Sequence, residues 1–173
     1  LGWWDEIQAD GLLLALTPAR HFSGRGLNNR FSTLWGSWVI QGENDNIFFS
    51  GDSGYGPHFK EIGEKYGPFN FAMMECGQYN YRWTDIHMIP EETAQAAQDI
   101  RASVFMPIHW AAFTLAMHSW TDPVERVMAK AYEINQPIFV PEIGDFIELD
   151  KKLVTGRKWW IAPIPASNAM VSK

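Results

Sequence analysis

Three side chains that can act as metal ligands, His21, Asp52 and His109, each follow a short apolar segment of the sequence. Such apolar runs are typical of buried β-strands. The preceding segments are, in order, Leu12–Leu16, Ile47–Phe49 and Val104–Ile108. Because open α/β sheets place their sites just past the ends of strands, we expect two imidazoles and a carboxylate to meet at one sheet edge, provided that these strands are neighbours. That set suits a borderline cation such as zinc.

Each of the three residues also fits an ordinary structural role when taken singly. Asp52 lies between Gly51 and Gly54, which let the backbone turn sharply and approach whatever the carboxylate holds. The same segment fits a turn whose Asp side chain caps the backbone. His21 fits a loop histidine, and His109 fits a buried core histidine. The position of all three after predicted strands is what favours a site.

The composition indicates one globular domain. Its 173 residues can bury a sizeable core, and 46% of them are hydrophobic, which excludes a disordered chain. The net charge of −6 argues against a nucleic-acid partner, because phosphate binding needs a basic surface. The single cysteine, Cys76, cannot form an internal disulfide and is typical of a reducing compartment, so we expect a cytoplasmic location. The apolar runs are too short for a transmembrane helix.

Predicted strands alternate with predicted helices along the chain. Helices are predicted over His58–Tyr66, Pro90–Ala102 and Asp122–Asn135. Further strands are predicted over Phe31–Ile40, Phe69–Met74, Ile138–Val140 and Phe146–Leu149, with a hairpin turn over residues 42–46. This order predicts an α/β fold with a mixed sheet and flanking helices in residues 1–150. A tail without clear periodicity follows over residues 151–173.

Several segments resemble the C-terminal half of a metallo-β-lactamase-fold hydrolase. They are TPARHFSGR, LWGSWVI, FFSGDSGYGPHFKEIGEKYGPF, the loop ending at His87, and PIHWAAF. They are most similar to the branch that contains the N-acylphosphatidylethanolamine-hydrolysing phospholipases D and their bacterial homologues. The resemblance covers roughly residues 10–149. It implies half of an αββα sandwich with two metal ions at its edge.

The resemblance implies a role for each ligand-type residue. His21 would ligate the first metal ion, Asp52 would bridge the pair, and His109 would ligate the second. A metal-bound hydroxide would then attack a phosphodiester or an ester/lactone-type bond. Two zinc ions are expected in the full-length enzyme, with manganese or iron as alternatives. By this resemblance Asp52 would be a metal ligand and a catalytic residue at once.

The loop before the second helix is expected to face a small-molecule or lipid-like substrate. His87 lies where this branch carries a substrate-facing histidine, so we expect an electrophilic or acid–base role; a surface loop histidine is the alternative. Tyr79, Arg82 and Trp83 share the loop and could line the pocket, or only pack. Arg20 and Arg25 could bind an anionic group of the substrate or simply be solvated. We expect His58 and His118 to have structural roles.

The chain departs from the family in one respect. The upstream His-x-His-x-Asp-His motif that supplies the remaining ligands does not occur in the 173 residues. Together with Leu1 in the place of an initiator Met, this predicts a fragment that lacks the N-terminal half of its domain. Such a fragment should bind metal weakly or not at all and be inactive alone. We also expect it to expose an apolar surface and to cover that surface by self-association.

Two alternatives belong to other classes. The segment Gly51–Gly54 also resembles the serine-protease signature, but such proteases are all-β and carry disulfides, whereas this chain has predicted helices and one cysteine. A non-catalytic, metal-free subunit or interaction module of the same fold fits the chain as well as an enzyme does. Metal analysis of the full-length protein separates the module from the enzyme.

Overall fold

The computed structural model describes residues 1–24, 26 and 28–161. Arg25 and residues 162–173 of the predicted tail lie outside the described residues. Six strands form one sheet, and their spatial order is their order in the chain. They are β1 (Glu6–Ala9), β2 (Leu12–Thr17), β3 (Ser37–Gln41), β4 (Asn46–Phe49), β5 (Phe71–Glu75) and β6 (Phe105–Ile108).

Strand direction explains how one edge of the sheet collects several loops. Strands β1 to β4 pair antiparallel, whereas β4, β5 and β6 pair parallel. Strand β2 therefore runs in the same direction as β4, β5 and β6, and the carboxyl ends of all four strands reach the same edge. The mixed sheet confirms the predicted α/β class.

Three helices accompany the sheet: α1 (His58–Tyr66), α2 (Pro90–Asp99) and α3 (Asp122–Glu133). Helix α2 begins as expected, with proline in its first turn and the Glu92 carboxylate accepting the Ile89 N–H at 3.1 Å. Helices α1 and α2 connect the parallel strands β4, β5 and β6. The longest of the three has 12 residues, and no helix in the described ranges has the length and apolar character needed to cross a bilayer.

The two faces of the sheet differ in burial. A row of paired residues on one face is fully buried and shares a core with the helices: Ala15, Val39, Phe48, Ala72 and Phe105. The neighbouring row on the other face pairs Leu16, Trp38, Phe49, Met73 and Met106, and all of these except Leu16 are only half-buried. The described chain therefore has one packed face and one partly open apolar face.

Three predicted strands are corrected by the structure, and one strand was missed. Strand β3 begins at Ser37 and not at Phe31, whose φ of 62° is incompatible with a strand. Segment Phe146–Leu149 forms no strand, and Phe146 is 98% exposed. Ile138 makes only an isolated parallel bridge to Phe105. The edge strand β1 was not predicted, because its four residues, EIQA, lack an apolar alternation.

Candidate functional site

The four loops that leave the common edge of the sheet bring their histidines and one carboxylate together. His21 follows β2, Asp52 follows β4, His87 lies in the loop after β5, and His109 follows β6 directly. All four side chains line one pocket of about 340 Å³. The predicted convergence is therefore seen in the fold, and it results from the shared direction of these strands.

The imidazoles and the carboxylate are close to one another. His109 Nε2 lies 3.2 Å from Asp52 Oδ1. The ring of His87 lies between the two others, with centroid distances of 5.3 Å to His21 and 5.4 Å to His109. His21 Nδ1 lies 2.8 Å from the carbonyl oxygen of Phe22, which can only accept a hydrogen bond. In the neutral ring Nε2 of His21 is therefore the unprotonated nitrogen.

The rest of the pocket wall is apolar. It consists of Phe22, Trp83, Ile86 and Leu115. The pocket thus combines a polar cluster at the sheet edge with hydrophobic walls, which is the usual composition of a small-molecule site.

Hydrogen bonds join the loop of His21 to the loop of Asp52. The Gly54 N–H donates to the carbonyl of Arg20 at 2.9 Å, and the Arg20 N–H donates to Ser53 Oγ at 3.0 Å. Ser53 is fully buried, so its hydroxyl is inaccessible to a substrate. This burial argues against the serine-protease alternative.

His58 has a structural position, as the sequence suggests. Its side chain is buried, and Nε2 lies 3.2 Å from Ser53 Oγ. Burial, and secondarily the positive charge of Arg20, lowers the pKa of His58 to about 4. The ring is therefore neutral at physiological pH and packs beside the Asp52 loop.

The end of β5 contributes a residue that sequence reasoning did not single out. Glu75 is fully buried, with Oε1 3.0 Å from His87 Nδ1 and Oε2 accepting the Met88 N–H at 3.1 Å. Burial raises the pKa of Glu75 well above its usual range and lowers the pKa of His87. Both shifts favour the neutral forms of the two side chains, in which the Glu75 hydroxyl can donate to His87 Nδ1 and leave the ring proton on Nε2.

Two of the three residues proposed to contact substrate do not line this pocket. The Tyr79 ring stacks on His118 at 4.3 Å, and its hydroxyl donates to a carboxylate of helix α3. Arg82 Nε donates to the Tyr81 hydroxyl at 3.0 Å. Trp83 alone of the three is part of the wall.

The donor atoms at the edge suit a metal ion chemically but form only part of a ligand set. Asp52 and His109 make a close pair. Within residues 1–24, 26 and 28–161, no three His, Cys, Asp or Glu side chains are arranged to hold an ion. The ligand roles of His21, Asp52 and His109 therefore stay predictions.

The fold and the site define a member of the beta-lactamase superfamily. The family model described as a beta-lactamase superfamily domain matches residues 1–110, and the chain belongs to this family. The solved structure of Igni18, a metallo hydrolase from Ignicoccus hospitalis, is similar with a TM-score of 0.66 and 23% identity, over 84% of this chain and 57% of that chain. The fold likeness to metallo-β-lactamase-type hydrolases is thereby confirmed.

The relatives that this chain matches are longer than the chain itself. It is 42% identical over 151 residues to an uncharacterized protein of Mycobacterium tuberculosis, covering 86% of this chain and 40% of the relative. It is 32% identical over 139 residues to N-acyl-phosphatidylethanolamine-hydrolyzing phospholipase D 1 of Caenorhabditis elegans, covering 76% of this chain and 39% of the relative. The chain thus spans about 40% of the length of these relatives.

Proposed function

We propose that this chain is part of a metal-dependent hydrolase whose substrate carries a phosphodiester or ester/lactone-type bond next to an apolar group. The pocket is the observation that supports this proposal. Its polar side, with Asp52, His87 and His109, suits hydrolytic chemistry, and its remaining walls suit a hydrocarbon group. The similarity to a protein named as a phospholipase D favours a phosphodiester in a lipid-like molecule.

Metal binding is the first part of the proposal. Asp52, His109 and His21 would supply part of the ligand set, through the carboxylate and imidazole nitrogens. A bound metal ion polarises the reacting bond and lowers the pKa of a bound water. Zinc, manganese and iron all accept such ligands.

The second part of the proposal is that His87 contacts the substrate. Glu75 occupies its Nδ1 atom, so Nε2 is the nitrogen left for the pocket that the ring lines. With the ring proton on Nε2, His87 donates a hydrogen bond to an oxygen of the substrate and stabilises the negative charge that develops there. Glu75 then acts as a positioning residue, because it fixes the tautomer and the ring orientation without touching the substrate.

The test uses the full-length protein, its bound metal and two chromogenic probes, bis(4-nitrophenyl) phosphate and 4-nitrophenyl acetate. We expect the protein to contain metal in stoichiometric amount and to hydrolyse at least one probe. Chelation should remove the metal and abolish the hydrolysis. Asp52→Ala should lower the metal content, whereas Asp45→Ala, in the exposed turn between β3 and β4 at the opposite edge of the sheet, should not. A full-length protein without metal and without hydrolysis would contradict the proposal.

A non-catalytic, metal-free subunit of the same fold is the second candidate. It is favoured by the finding that the described residues hold no arrangement of three ligands. It predicts that the full-length protein contains no metal and that Asp52→Ala changes neither its metal content nor its thermal stability.

A further inference from the structure

We propose that Gln78 is a positioning residue that sets the width of the pocket by holding two of its walls, Trp83 and Leu115. This inference rests on the proposed function, because it treats the pocket as the substrate site. The two walls come from different loops, one after β5 and one after β6. Gln78 is buried between these loops, with 6% of its surface exposed.

The main chain of Gln78 holds the first wall. Its carbonyl oxygen accepts the indole N–H of Trp83 at 2.7 Å, and this fixes the plane of the ring. Its own N–H donates to His118 Nε2 at 3.1 Å, across the second loop. The carbonyl of Trp83 in turn accepts the backbone N–H of His87 at 3.3 Å, so the same contacts extend to the residue proposed to donate a hydrogen bond to the substrate.

The side chain of Gln78 holds the second wall. Its Nε2 atom donates to the carbonyl of Phe113 at 2.6 Å. Its Oε1 atom accepts two backbone N–H groups, those of Leu115 and Ala116, both at 2.9 Å. The side-chain amide thus supplies the hydrogen-bond partners of three backbone groups in a loop that has no helix or strand to pair them.

Leu115 depends on these bonds because packing does little to fix it. Residues 111–121 contain no helix or strand, and Leu115 is 68% exposed although it lines the pocket. The backbone of Gln78 has a φ of 62°, which non-glycine residues seldom adopt. Such a conformation persists where the surrounding contacts over-determine it, and it is concentrated at functional sites.

The experiment compares Gln78→Met, Gln78→Glu and Gln136→Met in the full-length protein. Gln136 is a matched control, since it is also 6% exposed and donates through Nε2 to the Ala102 carbonyl at 2.9 Å, away from the pocket. Gln78→Glu keeps the oxygen that accepts the Leu115 and Ala116 N–H groups, whereas Gln78→Met removes it. Amide hydrogen exchange of these two residues and the kinetics of 4-nitrophenyl acetate and decanoate are measured.

We expect Gln78→Met to speed exchange at Leu115 and Ala116 about tenfold or more, and Gln78→Glu to restore part of the protection, because Glu keeps the accepting oxygen but loses the donor to the Phe113 carbonyl. We also expect Gln78→Met to raise KM for the decanoate about tenfold, with kcat and the acetate KM within about twofold. Gln136→Met should do neither. Unchanged exchange in Gln78→Met, or an equal effect on both esters, would overturn the inference. If the wild-type protein hydrolyses neither ester, the proposed function fails for ester bonds, and the exchange data still decide whether Gln78 holds the walls.

Discussion

The Oε1 atom of Glu75 lies 3.0 Å from Nδ1 of His87, at the buried end of β5 and behind the pocket. The second oxygen of Glu75 is occupied by the Met88 N–H. Burial raises the pKa of Glu75 and lowers that of His87, which favours a neutral pair with the carboxylic acid as the donor. This arrangement leads to the first prediction.

Glu75→Gln should retain most of the activity of the full-length enzyme. A glutamine amide can accept the Met88 N–H through its oxygen and donate to His87 Nδ1 through its NH2, as the protonated acid does. Glu75→Ala removes both contacts and should lower kcat about 10- to 100-fold, with the metal content unchanged. The measurement is kcat for the best chromogenic probe together with metal analysis. Equal losses in the two variants would show that Glu75 acts as a charged carboxylate.

The stability of the chain should fall as the pH falls below 6.5, in part because of His58. Its pKa is lowered from 6.5 to about 4 in the folded state. The unfolded chain therefore binds the proton first as the pH drops, and stability is lost between these two values. The full contribution is roughly 3 kcal/mol. Urea unfolding at pH 7 and pH 4.5 should show a smaller loss of stability in His58→Gln than in the wild type, and parallel losses would be evidence against this assignment.

Much of the fold could be predicted because its elements carry clear local signals. Helix α1 has the predicted bounds, since Phe59, Ile62 and Tyr66 recur on one face and are all buried. Strand β1 is an exposed edge strand with polar residues, so its pairing depends on β2 and not on its own sequence. At Phe31 a strand was predicted where none forms. An aromatic residue favours a strand, but the backbone of Phe31 is left-handed in the fold.

The site could be predicted in its outline but not in its supporting contacts. His21, Asp52 and His109 follow strands, and strand ends are visible in a sequence. Most of the contacts through which Gln78 and Glu75 act join positions 12 or more apart, as in the Glu75–His87 and Gln78–Leu115 contacts. Such pairings depend on how loops cross the sheet edge, for which the sequence carries no periodic signal.

Gly77 allows the β5 loop to pass close to the site histidine of β6. A Cβ atom on Gly77 would lie 2.0 Å from the carbonyl oxygen of His109. Gly77→Ala should therefore displace His109 and lower the free energy of unfolding by about 1–3 kcal/mol or more. Gly156→Ala is the control, because nothing lies within 4 Å of its added Cβ. Urea unfolding and metal content measure the two effects; a Gly77→Ala protein as stable as the control would contradict the close approach.

The partly open face of the sheet predicts self-association of the isolated 173-residue chain. Trp38, Phe49, Met73 and Met106 form a continuous half-buried row on this face, and contact with a second copy would remove their apolar surface from water. We expect the mass measured by light scattering to rise with concentration. Met106→Lys should raise the dissociation constant about tenfold or more, because a charged group would have to be buried in the contact.

Met117→Lys is the matched control for this last prediction, since it makes the same substitution at a residue that is 94% exposed in the loop after β6. It adds the same charge without touching the sheet, so it should leave the dissociation constant unchanged. If both variants dissociate the complex equally, net charge and not the sheet face controls association. A wild-type chain that stays monomeric at every concentration would show that the half-buried row needs no partner, because its remaining exposed area is too small to drive association in water.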